Sequence, residues 1–198
     1  MGWTVLDHSC QVQRHPYAER GLDCYETPAC AVHALLKVEA LPHYIWEPAC
    51  GRGAIVNVLR DAGHEVVASD IADYGVPITA PGNWGRDFLA ERVAPAGTEA
   101  IATNPPFRFA EQFVEHALRL CPKVVMLLRL AFLESERRCG ILEKRGLARV
   151  HVFRKRLPMM HRAGWEGRKA NSGMAFGWFC WDRSHIGPTV IDRISWEG

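Results

Sequence analysis

Short apolar runs alternate along this chain with segments whose apolar residues recur every three or four positions, which predicts alternating strands and helices. The continuous runs, bounded by Gly, Pro or charged residues, are typical of buried strands. The predicted strands are HYIWEPAC (43–50), HEVVASD (64–70), EAIATN (99–104), KVVMLLRLAF (123–132), LARVHVF (147–153) and GMAFGWFCWD (173–182). The predicted helices are 27–41, 53–63, 108–120 and 134–146.

The element order predicts an α/β domain. Thr27 is expected to cap the first helix, with Pro28 at its first position, and Gly63 is expected to end the second helix. Strands that alternate with helices favour a mostly parallel sheet covered by helices on both faces. Ligands of such sheets bind beyond the carboxyl ends of the strands, so a binding site is expected there.

Composition narrows the class of protein. The 198 residues, 48% hydrophobic and 23% charged, predict one globular domain spanning 1–198, with 1–24 as an N-terminal extension. The seven cysteines are scattered without a Cys-x-x-Cys pair, which disfavours a disulfide framework and a zinc site. No apolar run is long enough to span a membrane, and we expect a reduced, cytoplasmic protein without a metal.

Two of three candidate sites follow the first two predicted strands. Glu47 ends a strand just before Gly51 and Gly53, which predict a tight strand-to-helix turn. A dinucleotide fingerprint would require a third glycine at Val56, and an acid at Glu47 suits a cationic ligand better than a pyrophosphate. Asp70 lies where a ribose-binding carboxylate is expected, although a cap or turn role explains it equally well.

The third candidate follows the strand EAIATN. Asn104-Pro105-Pro106-Phe107 ends the strand with two residues that cannot continue a ladder and that stiffen the chain. Carbonyl groups, an amide and an aromatic face are thereby collected at the strand tip. An ordinary strand-to-loop turn is the alternative interpretation.

Taken together, these motifs resemble the class I S-adenosylmethionine-dependent methyltransferases that modify the N6 amine of adenine. The similarity covers about residues 25 to 130. The motifs that carry it are, in order, Tyr25-x-Thr27-Pro28, Glu47-Pro48-Ala49-Cys50-Gly51-x-Gly53, Asp70, Asp87-Phe88 and Asn104-Pro105-Pro106-Phe107.

The resemblance implies a Rossmann-like, seven-stranded, mostly parallel sheet whose last strand is antiparallel, a strand that GMAFGWFCW can supply. It also implies that Thr27 and the glycine loop hold the methionine part of S-adenosylmethionine, Asp70 the ribose, and Asp87 with Phe88 the adenine. Asp87 has a competing role as a helix cap, and Cys50 is expected to be a buried filler of the turn. The implied cofactor-binding residues are Tyr25, Thr27, Glu47, Pro48, Ala49, Cys50, Gly51, Gly53, Asp70, Asp87, Phe88 and Asn104.

The predicted catalytic residues are Asn104, Pro105, Pro106 and Phe107. An exocyclic aromatic amine is a poor nucleophile because its lone pair is delocalised into the ring. Acceptors at the Asn104 side-chain oxygen and the Pro105 carbonyl would bind its two hydrogens and direct the lone pair at the methyl group. Phe107 would stack on a base that has left its helix. No metal and no covalent intermediate is needed.

A basic segment between the last two predicted strands, within 154–172, favours nucleic acid as the partner. The residues predicted to contact it are Arg154, Lys155, Arg156, Arg162, Trp165, Arg168 and Lys169. DNA is the expected substrate, and the net charge of +2 requires that affinity come from such local clusters. A solvated basic loop, an RNA substrate, a protein glutamine substrate and a non-catalytic binding module are the alternatives, and the oligomeric state is unknown.

Overall fold

The computed structural model describes residues 26–75, 77, 83–158 and 173–197 of the chain. Within these ranges the strands are β1 (Tyr44–Glu47), β2 (Glu65–Ala68), β3 (Ala100–Thr103), β4 (Lys123–Arg129), β5 (Leu147–Phe153), β6 (Phe176–Asp182) and β7 (Val190–Ile194). They form one sheet in the order β2-β1-β3-β4-β6-β5-β7. The α/β sheet predicted from the element order is therefore confirmed, with the seven strands that the resemblance implies.

Among the described residues, one helix precedes the first strand and the others lie in connections between strands. The helices are α1 (Ala29–Leu36), α2 (Ala54–Asp61), α3 (Ala110–Leu120) and the single turn α4 (Cys139–Leu142), with 3-10 turns at Phe88–Ala90, Phe107–Phe109, Leu130–Leu133 and Glu136–Arg138. The predicted helix 134–146 is thus a 3-10 turn followed by one helical turn. None of the described helices has the length and apolar content needed to cross a bilayer.

The antiparallel strand differs in position from the expectation. β6 runs antiparallel to both β4 and β5, and the other neighbours are parallel. GMAFGWFCWD does supply this strand, but β7 follows it and pairs in parallel with β5. The antiparallel strand is therefore the last but one. The first four residues of β7 are exposed, so the strand has no buried alternation that the sequence analysis could detect.

Helices cover both faces of the sheet, as the strand–helix alternation predicts. Ala31 of α1 and Ile55 of α2 pack in one apolar cluster with Trp178 of the sheet. Val114 of α3 and Ile141 of α4 pack in a second cluster on the other face. Since both faces are buried, open space for a ligand is found at the ends of the strands.

The start of α1 corrects one prediction. Pro28, not Thr27, is the N-cap residue, and it makes no side-chain cap bond. The Thr27 hydroxyl instead accepts a hydrogen bond from Nδ2 of Asn104 at 3.1 Å. The helix also ends at Leu36 rather than continuing to residue 41. Thr27 is thereby bound to the tip of β3 rather than to its own helix.

Candidate active site

A cavity of about 330 Å³ lies at the carboxyl ends of β1, β2 and β3. Parallel strands end at the same edge of a sheet, so the residues that follow them are brought together there. The predicted site residues in the wall of this cavity are Thr27, Glu47, Pro48, Ala49, Cys50, Gly51, Asp70, Asp87, Phe88, Asn104, Pro105, Pro106 and Phe107. Both the predicted cofactor motifs and the Asn-Pro-Pro-Phe tip therefore border one space.

The loop after β1 turns sharply on its two glycines. Gly51 has φ of 53° and Gly53 has φ of 86°, both in the left-handed region that L side chains rarely adopt. Gly53 is the N-cap residue of α2, and its N–H donates to the Cys50 carbonyl at 2.8 Å. Gly53 shapes the turn and is not in the cavity wall, whereas Gly51 is.

Asp70 connects this loop to the end of β2. Its Oδ2 accepts from the Gly51 N–H at 2.8 Å, and its Oδ1 accepts from the Ala72 N–H at 3.0 Å. Burial raises the pKa of Asp70, and these backbone hydrogen bonds act against that rise. Asp70 therefore has the turn role that its sequence position also allows, and it lines the cavity as well.

Glu47 is the most strongly perturbed carboxyl group of the cavity. It is 2% exposed, and its Oε2 has no hydrogen-bond partner among the described residues. Burial, followed by the nearby Asp70 carboxylate, raises the pKa of Glu47 well above its ordinary value. A positively charged ligand would stabilise the ionised form of both carboxyl groups, so this part of the cavity favours a cation.

Asp87 and Phe88 form another part of the wall. Asp87 is exposed and caps the 3-10 turn Phe88–Ala90, because its Oδ1 accepts from the Leu89 N–H at 3.0 Å. Phe88 is 3% exposed and packs edge-on against Trp46 with a centroid distance of 5.2 Å. The cap role that competed with ligand binding for Asp87 is present, and both residues also line the cavity.

The Asn-Pro-Pro-Phe tip is fixed by its neighbours. The Asn104 amide nitrogen is used within the protein by its bond to Thr27, and the side-chain acceptor is Oδ1. The Pro106 carbonyl accepts from the Phe109 N–H at 2.9 Å, which closes the 3-10 turn that leads into α3. Pro105 is buried and lines the cavity. The tip therefore has a rigid backbone on which an acceptor is held.

Phe107 packs against a cation. The Arg129 guanidinium carbon lies 4.1 Å from the centroid of the Phe107 ring, and the Phe176 ring lies 5.6 Å away at a tilt of 41°. Arg129 is the last residue of β4 and Phe176 is the residue paired with it on β6. Neither contact was predicted, because both pair residues that are distant in the sequence.

Cys50 is not suited to act as a nucleophile. It is 4% exposed, and burial, with the nearby Glu47 and Asp70 carboxyl groups, raises the pKa of its thiol far above the ordinary value. The thiolate form is therefore not populated near neutral pH. This agrees with its interpretation as a buried filler of the turn, and each of the five described cysteines has a free thiol.

Some wall residues were missed. Ile71 follows Asp70, lines the cavity and is 60% exposed, which is unusual for a large apolar side chain. Tyr74, Leu89 and Phe113 also belong to the wall. The position of Ile71 directly after a strand-terminal acid was the available signal, whereas nothing in the sequence indicates that Phe113, on the buried face of α3, reaches the cavity.

Several predicted residues lie outside the described part of the chain, namely Tyr25, Arg162, Trp165, Arg168 and Lys169. Of the basic segment, Arg154, Lys155 and Arg156 are described and all three are exposed. Lys155 forms an ion pair with Glu197. The prediction that this segment contacts nucleic acid stays a prediction.

Among the described residues, one buried group of metal-ligand side chains lies away from the cavity. Glu39, His151 and Cys180 offer ligand atoms within 4.8 Å of one another. The Glu39 carboxylate, however, already binds Arg149 through two bonds of 2.6 and 2.7 Å and Lys123 at 2.9 Å. Two cations at these distances would repel a metal ion, so the group is an ion-pair cluster.

The fold is known from other proteins, although no family model and no curated protein matches the chain. The similar solved structures include a proposed class I S-adenosylmethionine-dependent methyltransferase from Listeria monocytogenes, 14% identical with a TM-score of 0.59 over 84% of this chain and 64% of that one. The chain therefore has the Rossmann-like class I methyltransferase fold, with its cavity at the carboxyl edge of the sheet.

Three of these structures show how widely the fold is used. A proposed RNA methyltransferase from Pyrococcus horikoshii is 14% identical with a TM-score of 0.57, over 81% of this chain and 87% of that one. The E. cuniculi Mtq2–Trm112 complex, responsible for methylation of the termination factor eRF1, is 16% identical with a TM-score of 0.56, over 82% of this chain and 99% of that one. A modification subunit of a proposed type I restriction enzyme from Vibrio vulnificus is 16% identical with a TM-score of 0.56, over 87% of this chain and 46% of that one. At such identities the likeness establishes the fold alone, and the substrate depends on the residues of the site.

Proposed function

We propose that this protein is a methyltransferase that uses S-adenosylmethionine to methylate the N6 amine of adenine in DNA. The observation that carries the proposal is the shared cavity, in which the buried acids Glu47 and Asp70 border the same space as the Asn104–Phe107 tip. A cation-binding region is thus joined to a rigid set of acceptors and an aromatic ring.

The acidic region suits the cofactor. S-adenosylmethionine carries an ammonium and a sulfonium, and both are attracted by the carboxyl groups of Glu47 and Asp70. Asp70 keeps one carboxylate oxygen on the Gly51 N–H, so its orientation is set before a ribose hydroxyl binds. Asp87, Phe88 and the exposed Ile71 are the candidates for contact with the adenine ring of the cofactor.

The reaction then needs only positioning and electrostatics. The N6 lone pair of the target adenine attacks the methyl carbon, the carbon–sulfur bond breaks in line, and neutral S-adenosylhomocysteine leaves. Oδ1 of Asn104 and the Pro105 carbonyl accept the two amine hydrogens, which become more acidic as positive charge develops on nitrogen. One of these protons is then released to water.

The contact between Arg129 and Phe107 supports a nucleobase over a glutamine side chain. A cation over an aromatic ring withdraws electron density from it, so the ring favours a neutral aromatic partner. Adenine is such a partner, whereas a glutamine amide has no ring to stack. The exposed cations Arg154 and Arg156 favour a polyanionic substrate. RNA is the second candidate, because a base and phosphates are common to both nucleic acids.

The division of roles is tested by two substitutions. Asp70→Ala is expected to weaken S-adenosylmethionine binding by about 1–3 kcal/mol, the range for hydrogen bonds to a charged group. Asn104→Ala is expected to bind the cofactor normally and to lose methyl transfer. Calorimetry with the cofactor, and S-adenosylhomocysteine release with adenine-containing DNA, RNA and protein extracts, measure the two effects.

Asn57→Ala is the matched control for Asn104→Ala, because Asn57 is exposed on α2 and is not in the cavity wall. An Asn104→Ala protein that is fully active, or that no longer binds the cofactor, would contradict the assignment. If the labelled methyl group is found on protein or RNA and not on DNA, then that molecule is the substrate and the proposal of DNA is wrong. The absence of turnover with all three would leave a non-catalytic binding module.

A further inference from the structure

A second concave surface lies at the end of the sheet opposite the active site. It is bordered by Pro122 before β4, by Lys144–Gly146 before β5, and by Arg183 after the antiparallel β6. Its volume is about 540 Å³. We call it the basic groove and define it by the side chains Arg119, Lys144, Arg145, Arg183 and His185, all of which line it.

The Lys and Arg side chains of the basic groove have no carboxylate partner among the described residues. In the part of the chain that the structure describes, no carboxylate lines the groove and none of its Lys or Arg side chains forms an ion pair. Arg119, Lys144, Arg145 and Arg183 are all exposed. Elsewhere in the described ranges, cations such as Arg86 and Arg137 are paired with Glu91 and Glu111. In a chain whose net charge is only +2, this is a marked local excess.

The groove has a rigid floor. The Arg183 N–H donates to the Pro122 carbonyl and the Asp182 N–H donates to the Gly146 carbonyl, both at 2.9 Å. Gly146 has φ of 70°, and a Cβ at this position would lie 2.5 Å from the Asp182 carbonyl oxygen, so only glycine fits. The turns that carry Lys144, Arg145 and Arg183 are therefore held together by the backbone.

Hydrogen bonds hold two of the groove cations and the neighbouring carboxylate of Asp182 in place. Arg119 contacts Nδ1 of His116 at 2.7 Å, and Arg183 donates to the Leu118 carbonyl at 3.1 Å. The adjacent carboxylate of Asp182 accepts from the backbone and hydroxyl of Ser184 at 2.9 and 2.6 Å. A convergent set of like charges on a rigid floor is stabilised by a polyanion.

We propose that the basic groove binds the phosphate backbone of a nucleic acid at a place separate from the active site. Phe, Tyr and Trp are missing from the groove wall in the described ranges, so the groove has no platform on which a base could stack. Binding would be independent of sequence. The choice of a nucleic acid, rather than another polyanion, rests on the proposed function.

The groove and the active site engage different segments of the same nucleic acid. β4 has seven residues and separates the two ends of the sheet, which corresponds to roughly 20 Å at about 3.3 Å per residue. A target base at the Asn104 tip therefore leaves the groove to a segment farther along the strand. Two weak attachments on one molecule raise the effective concentration of the second site.

The test measures DNA binding without methylation. The probe is a fluorescent duplex made only of G·C pairs, which holds no adenine to methylate. For Lys144→Ala with Arg145→Ala, we expect the slope of log K against log salt to become flatter by about 1–2 units, since each phosphate contact contributes about 0.9. Lys144→Glu changes the net charge by the same two units and is also expected to weaken binding at low salt.

The matched control is Lys37→Ala with Arg92→Ala, which removes the same charge from exposed positions outside the groove and the cavity. Equal slopes for the two double variants, or no binding of the probe by the unaltered protein, would overturn the proposal. Thermal melts establish that each variant is folded. If the salt slope of the groove variant is flatter but the protein does not methylate adenine, only the proposed function is overturned. If the protein methylates adenine but the salt slope of the groove variant is unchanged, only the proposed role of the basic groove is overturned.

Discussion

Two buried glutamates at opposite ends of the sheet have opposite environments. Glu39, 4% exposed, lies beside Lys123 at the amino end of β4, and Glu47, 2% exposed, ends β1 at the cavity. Burial alone would raise the pKa of Glu39, but hydrogen bonds from His151, Arg149 and Lys123 lower it far below the ordinary value. At Glu47, burial and a second acid raise the pKa instead.

The difference separates a structural carboxylate from a ligand-binding one. The Glu39 charge is satisfied by the protein itself and ties the segment after α1 to β4 and β5. The Glu47 charge is disfavoured until something outside the protein compensates it. Acids with a strongly perturbed pKa in a cavity are candidates for binding or reaction. The contrast between Glu39 and Glu47 can be tested in three ways.

The largest expected effect is on folding stability at Glu39. Glu39→Gln removes the negative charge and leaves Arg149 and Lys123 close together, which should lower the free energy of unfolding by about 3 kcal/mol. This is the lower end of the range for a broken buried pair, because both cations keep some exposure. Urea denaturation at neutral pH measures it.

The same substitution on the exposed face of α3, Glu115→Gln, is the control and should leave stability within about 0.5 kcal/mol of the unaltered protein. A loss below about 1 kcal/mol for Glu39→Gln would mean that the cluster is solvated like a surface ion pair.

A smaller effect, on the cofactor and not on folding, is expected at Glu47. Glu47→Gln should leave the unfolding free energy unchanged or slightly higher, because it removes a poorly solvated carboxyl group. It should weaken S-adenosylmethionine binding by about 2 kcal/mol, since a charged hydrogen bond or ion pair is lost. Calorimetry measures the affinity, with Glu39→Gln as the control that should bind normally. If Glu47→Gln unfolds as readily as Glu39→Gln, the contrast fails.

The pH dependence provides the finest comparison. A depressed pKa in the folded state means that Glu39 stabilises the fold above its ordinary pKa of 4.5 and that this is lost as pH falls toward the depressed value. A raised pKa means that Glu47 costs stability as pH rises from 4.5 to its raised value, where the loss levels off.

The two effects have opposite signs and occupy different pH windows. Subtracting the stability of each Gln variant from that of the unaltered protein should give a difference that rises with pH below 4.5 for Glu39 and falls with pH above 4.5 for Glu47. Neither slope can exceed about 1.4 kcal/mol per pH unit, the limit for one proton. Denaturation across a pH series decides this, and a flat curve for Glu47 would show that its carboxyl group is hydrated.

Much of the cavity could be predicted because strand ends carry strong signals. Glu47, Asp70 and Asn104 each follow a short apolar run, and a parallel sheet necessarily brings such residues to one edge. β5 has the bounds that were predicted for it. The glycine loop also has the positive φ angles that its composition indicates.

Other features depend on contacts that no local pattern records. The Glu39 cluster joins residues more than a hundred positions apart, and the bond from Asn104 overrides the capping propensity of Thr27. β7 is an exposed edge strand without alternation, so the hydrophobic pattern does not detect it. In each case tertiary contacts determine what the sequence leaves open.

The place of β6 between β4 and β5 has a consequence for the order of folding. β2, β1, β3 and β4 are neighbours in space and are complete once Arg129 has been synthesised. β5 has no such neighbour, because it pairs only with β6 and β7, which come later in the chain. A nascent chain must therefore hold β5 unpaired until Phe176–Asp182 is made, and the pairing of this strand with the distant β4 is a long-range contact of the kind that forms slowly. Any chain that stops earlier leaves the edge of β4 bare, with backbone donors and acceptors that a second unfinished chain can join.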